Sequence, residues 1–248
     1  MTKGKSEKNR RMRRFFLGFF IFGIVMAAHS SFASYDLIYE GVARNTDGKV
    51  LYIEKHKAEF NEDGKITRAT TNYVRENGEL VGVLKSDFTK VVTAPDYLFR
   101  DLRDGSEHGI RLSGKELILF KRDQNGKEQE KVFYKSEFDE GVLLVGCQGL
   151  HYYLIDNLAE IKRRDKIPIK FLIPGKLTYY SFTMYYQGEN DGIVKLKIKI
   201  SNFFLRFFAP DLEVLYRKSD RKLLKYFGVS NLLDDKGELQ KVSIEYKY

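Results

Sequence analysis

The sequence predicts a mainly β fold: a curved antiparallel sheet, half-barrel or incomplete barrel, with one amphipathic helix packed on it. Three observations carry that prediction. Asx-Gly dipeptides recur at Asp47-Gly48, Asp63-Gly64, Asn77-Gly78, Asp104-Gly105 and Asn125-Gly126, and Asx-Gly supplies the positive φ that tight hairpin turns need. The segments between them alternate apolar and polar residues, as half-buried strands do. Trp is absent while Tyr (16) and Phe (19) are plentiful, an aromatic bias that suits strands.

In chain order the first signal is not a strand. Residues 1–33 carry seven basic residues against one acid, Glu7, so this segment holds +6 of the chain's +9 net charge. Phe15 to Ala28 is an uncharged apolar run, and Ser31 and Ala33 are small residues at the −3 and −1 positions of a cut before Ser34. A basic start, a short apolar run and a small-residue site are the marks of a cleavable signal peptide. The run of 14 is short of the about 20 residues that a membrane-spanning helix needs. The expectation is export to the periplasm or cell envelope, with residues 34–248 forming a single β-rich domain.

From residue 35 to about 140 the chain reads as a meander. Val50, Tyr52, His56, Ala58 and Phe60 share one parity, opposite Lys55, Lys57 and Glu59. Ile66 to Val74, Leu80 to Phe88, Tyr97 to Leu102, Lys115 to Lys121 and Lys131 to Tyr134 continue the pattern, with a turn expected from Arg100 to Gly109. Residues 148–164 change period: Leu150, Leu154, Leu158 and Ile161 recur at helical spacing, and Lys162, Arg163 and Arg164 follow, where cations suit the helix dipole. Pro168 forbids the helix from continuing.

Strand signals return after Pro174. Leu177 to Gln187 is rich in aromatics, Asp191-Gly192 turns the chain, and Val194, Leu196, Ile198 and Ile200 alternate with Lys195, Lys197 and Lys199. That alternation predicts a sheet wet on one face. Leu212 to Arg217, Lys222 to Phe227 and Lys241 to Tyr248 complete the set.

Charge and motif content narrow the function classes. Without residues 1–33 the net charge is only +3, so the concentrated basic surface of a nucleic-acid binder is missing and no nucleic-acid partner is expected. No nucleotide-binding, nucleophile-elbow or zinc motif is present, and the expectation is a non-enzyme with no cofactor, no catalytic residue and no metal site. Cys147 is the one cysteine, and a buried thiol is expected from the apolar residues before it. Cys147 and His151, four apart at the start of the helix, form the single pairing that could support nucleophilic chemistry. Asp101, Asp104, Glu107 and His108 crowd one turn, but Arg100, Arg103 and Arg111 interleave with them, which favours ion pairing over metal binding.

The C-terminal third adds a resemblance. Ile167 to Pro174, Leu177 to Tyr180, Leu223 to Leu232 and Val242 to Tyr246 resemble a group of exported bacterial all-β periplasmic proteins in domain-of-unknown-function families. The resemblance covers residues 165–248 and implies a curved antiparallel sheet and a periplasmic home. It implies no activity and transfers no functional residue.

The functional expectation is a non-enzymatic envelope protein binding a lipid or other apolar ligand on the concave face of the sheet, with Tyr179, Phe182, Phe204, Leu154 and Leu158 lining the site. The alternative is a structural or protein-interaction module that turns Lys195, Lys197 and Lys199 toward a membrane surface or an acidic envelope partner.

Overall fold

The computed structural model describes residues 34–201 and 211–248. The expected signal peptide and Phe204 lie outside the described residues. The chain runs through β1 (Tyr35–Arg44), β2 (Val50–Phe60), β3 (Ile66–Val74), β4 (Leu80–Asp87), β5 (Asp96–Asp101), β6 (Glu107–Ser113), β7 (Glu116–Arg122) and β8 (Glu128–Tyr134). It continues through β9 (Leu143–Gly146), helix α1 (Gly149–Ile161), β10 (Ile167–Ile173), β11 (Thr178–Asn190), β12 (Ile193–Ile200), β13 (Leu212–Arg217), β14 (Leu223–Val229) and β15 (Lys241–Lys247).

All fifteen described strands belong to one sheet, ordered β8-β7-β6-β5-β4-β3-β2-β1-β15-β14-β13-β12-β11-β10-β9. Two meanders therefore run outward in opposite directions from the central β1–β15 pair. The chain is mainly β with one helix among the described residues, as the sequence predicts. Short hairpin turns explain the order, because antiparallel neighbours need few linking residues. β9 and β10 alone run parallel, and α1 makes the crossover between them.

The sheet coils without closing. β8 and β9, at its two ends, are not hydrogen-bonded to each other. Side chains bridge the seam instead. Tyr179 of β11 meets Phe133 of β8 edge-on at 5.7 Å and Phe138 at 5.3 Å. The short 3-10 turn Pro174–Lys176 packs on β6 and β7. β10 contributes to two clusters: Leu172 joins that of Tyr73, Phe99, Ile110 and Leu119, while Ile169 joins that of Leu154, Leu196, Ile198 and Val214.

Helix α1 spans Gly149–Ile161, within the 148–164 expected. Leu150, Leu154 and Ile161 are buried as the periodicity requires, and Leu158 is half-buried against the same cluster. Tyr152, off that stripe, is buried in a third cluster between Phe60 and Phe88. The helix start approaches the chain closely, since a Cβ on Gly149 would lie 2.0 Å from the Thr93 carbonyl oxygen.

Two local expectations are corrected. The turn placed at Arg100 to Gly109 is shorter, because β6 begins at Glu107, where Glu107 and Gly109 point inward and pair with β5. Strand begins before Pro174, where its signals were expected to return, because β10 spans Ile167–Ile173. Pro168 pairs with Thr183 on one side and lies beyond the stretch, Ile169 to Leu172, that pairs with β9, so its missing N–H breaks no ladder.

Candidate functional site

A partly open cavity of about 140 Å³ lies where β1, β2, β3, β12–β15 and the start of α1 meet. Tyr39, Glu54, His56, Tyr73, Tyr226 and Tyr246 line it. Leu154, Ile198, Val214 and Ile244 supply apolar wall. The strand period places these groups. On β2, Tyr52, Glu54, His56, Ala58 and Phe60 all point inward, so Glu54 and His56 are carried into the core by the same alternation that buries their apolar neighbours. Glu54 is 6% exposed and His56 8%. Across the β1–β15 pair, Gly41 stands opposite Tyr246, and a Cβ there would lie 2.7 Å from the tyrosine ring. Gly41 thus leaves room for the ring that reaches Glu54.

A buried polar group must find partners, and here one hydrogen-bond chain supplies them. Ser86 Oγ donates to Gln148 Oε1 at 3.0 Å, and Gln148 Nε2 donates to Thr71 Oγ1 at 2.7 Å. Thr71 Oγ1 then lies 2.8 Å from His56 Nδ1, and His56 Nε2 lies 3.0 Å from Glu54 Oε2. The Thr71 hydroxyl and His56 Nδ1 share a hydrogen bond, and His56 Nε2 donates to the Glu54 carboxylate. Tyr246 donates its hydroxyl to the same carboxylate oxygen at 3.1 Å. His56 and Tyr246 thus converge on Glu54 Oε2. Tyr39 stacks on the His56 ring at 4.3 Å, and Tyr248 stacks on Tyr39 at 4.8 Å.

Cys147 and His151 also line the cavity. Their protonation runs opposite to an activated nucleophile. Burial pushes the Cys147 thiol up to about 12, against a hydrogen bond from Gln148 that lowers it, and Glu54 raises it further. Burial pulls His151 down to about 3, with His56 adding to the effect. His151 Nδ1 is 2.9 Å from the Tyr216 hydroxyl, and Cys147 Sγ is 3.7 Å from Asn231 Nδ2. A thiolate–imidazolium pair needs the reverse of both shifts.

The residues expected to line an apolar site are spread over several places. Leu154 lines the cavity. Phe182 and Leu158 pack in the neighbouring apolar cluster. Tyr179 sits at the seam with Phe133 and Phe138, its ring 5.1 Å from the Lys170 ammonium. Glu54, Tyr39 and Tyr246 were not singled out by sequence. The available signal was an acid at position 54, on the inward parity of an otherwise apolar strand face.

Asp101, Glu107, Lys195 and Lys197 are held in ion pairs. Asp101 accepts from Arg103 Nε at 2.9 Å; burial opposes its charge, but the Arg103 bonds prevail and hold its carboxyl below the usual range. Glu107 is held by Arg100 and by Arg122, the latter at 2.8 Å. Among the described residues no group of three or more His, Cys, Asp or Glu side chains fits a metal ion. Lys195 pairs with Glu213 at 2.7 Å, Lys197 pairs with Asp211 at 3.0 Å, and Lys199 lies 5.8 Å over the Tyr185 ring.

No protein-family model matches the chain, and no curated protein does. Among solved structures it is similar to a β-barrel-like protein of the domain of unknown function DUF1849 from Brucella abortus. That protein is 8% identical, with 88% of this chain and 97% of the other covered and a TM-score of 0.38. A porin-like protein from Bacteroides uniformis is 9% identical, with 88% and 96% covered and a TM-score of 0.26. Similarity at this level transfers no residue role.

Proposed function

We propose that this chain is a non-enzymatic, exported envelope protein that holds a small ligand in this cavity. The observation that carries the reading is the cavity itself: about 140 Å³ of unfilled space beside a buried carboxylate. Interiors normally leave few voids larger than a water molecule. The basic and apolar N-terminal segment of the sequence supports export, and the raised thiol and lowered imidazole support a binding role over a catalytic one.

Volume limits the ligand. A cavity of about 150 Å³ takes one benzene-sized molecule, so of a lipid only a short terminal portion fits. Calorimetric titration with straight-chain alcohols from propanol to decanol tests the reading. Saturable one-to-one uptake should be tightest at about six heavy atoms and weaken beyond. No saturable uptake, or affinity rising steadily to decanol as it does for surface partitioning, contradicts it.

A further inference from the structure

Glu54 is a buried acceptor with one oxygen committed and one free. Tyr246 and His56 both donate to Oε2, and among the described residues no hydrogen bond reaches Oε1. No Lys or Arg among the described residues pairs with this carboxylate; its basic neighbour is His56, 3.0 Å away. A buried carboxylate is costly unless both its oxygens are partnered, and Glu54 lines the cavity. Its field reaches the surrounding side chains. Burial first, and Glu54 with it, pushes the hydroxyls of Tyr73, Tyr226 and Tyr246 up.

The remaining wall is aromatic. Tyr39, Tyr73, Tyr226 and Tyr246 line the same space, with the Tyr39 and Tyr246 rings 6.0 Å apart at 59°. Ring faces attract cations within about 6 Å, more strongly where water is excluded. Tyr39 is covered by His56 and Tyr248 stacked on it, but a free carboxylate oxygen beside Tyr73, Tyr226 and Tyr246 favours positive charge over neutral apolar matter.

We infer that the cavity takes an organic cation, a protonated amine or quaternary ammonium group of about benzene size, with Glu54 Oε1 as its carboxylate partner and Tyr73, Tyr226 and Tyr246 lining the space. The inference rests on the ligand-binding reading above and names the class of its ligand.

Calorimetric titration of the full chain with choline and with 3,3-dimethylbutan-1-ol, which has the same shape without the charge, tests it. Choline should bind at least about tenfold tighter, a modest desolvated cation–π and ion-pair advantage. Glu54→Gln should bring the two affinities together while the alcohol still binds. The N-methyl proton resonance of choline should also move upfield on binding through ring currents, a readout that needs no variant should Glu54→Gln not fold. Equal binding of the two probes, or a choline preference that survives in Glu54→Gln, overturns the cation assignment and leaves the cavity reading standing. Failure of both probes to bind overturns both.

Discussion

Gln148, the residue before helix α1, donates from Nε2 to Thr71 Oγ1 on β3 across 2.7 Å. This one bond couples the position of the helix to the polar chain ending at Glu54, because Thr71 is also hydrogen-bonded to His56. The helix start is thus fastened by a side-chain network and by the close Gly149–Thr93 approach.

Thr71→Val removes that link while keeping the shape. Gln148 Nε2 and His56 Nδ1 lose their partner together, and leaving buried polar groups unpaired costs about 1–3 kcal/mol. Urea unfolding should show a loss in that range. Adding Gln148→Leu should cost less than the sum of the single changes, since both cut one chain.

Gly149→Ala should also destabilise, by about 1–3 kcal/mol or more, because a Cβ 2.0 Å from a backbone carbonyl oxygen forces the helix start to shift. The same unfolding assay measures it. A neutral or stabilising result would contradict the tight docking.

The seam predicts a local effect. Tyr179→Ala removes the ring that meets both Phe133 and Phe138, while the hydrogen-bonded ladder elsewhere is untouched. Amide hydrogen exchange should quicken in β7 and β8 before it changes in β1, β2 or β15. Uniform exchange across the sheet would show that the seam does not hold the edge.

Acid should weaken the fold through two histidines. Burial lowers His151 to about 3 and His108 to about 4, Asp101 opposing the latter shift, whereas both rise to about 6.5 when unfolded. Between those limits the unfolded chain binds more protons. The stability is fully present above about pH 6.5 and is lost as pH falls toward the folded values, by at most about 1.4 kcal/mol per pH unit for each histidine. His151→Gln should flatten the decline of Tm between pH 6.5 and 4; an unchanged slope contradicts this account.

The Cys147 thiol, raised to about 12, is almost wholly protonated at pH 8. Iodoacetamide should label it slowly in the folded protein and fast in denaturant. Rapid labelling of the folded chain would reopen the Cys147–His151 chemistry.

The strands and helix were largely legible because their causes are local. The Asx-Gly turns carry their glycines at positive φ, and β12 buries Val194, Leu196, Ile198 and Ile200 on one face as written. What escaped depends on distant partners. β9 is a four-residue strand that pairs only through a crossover. β10 opens with exposed Pro168 between buried Ile167 and Ile169, and that proline disguised its start. The cavity was hidden for a similar reason: Glu54 reads as a surface acid until β2, β15 and α1 are brought together, whereas Leu154 follows from the helix period alone.

Native mass spectrometry of the protein as isolated from cells, followed by extraction of any released material, tests the binding role most directly. A stoichiometric small adduct that leaves on denaturation is the result the cavity predicts. A bare chain mass, with no uptake when the protein is incubated with cell-envelope extracts, would contradict it.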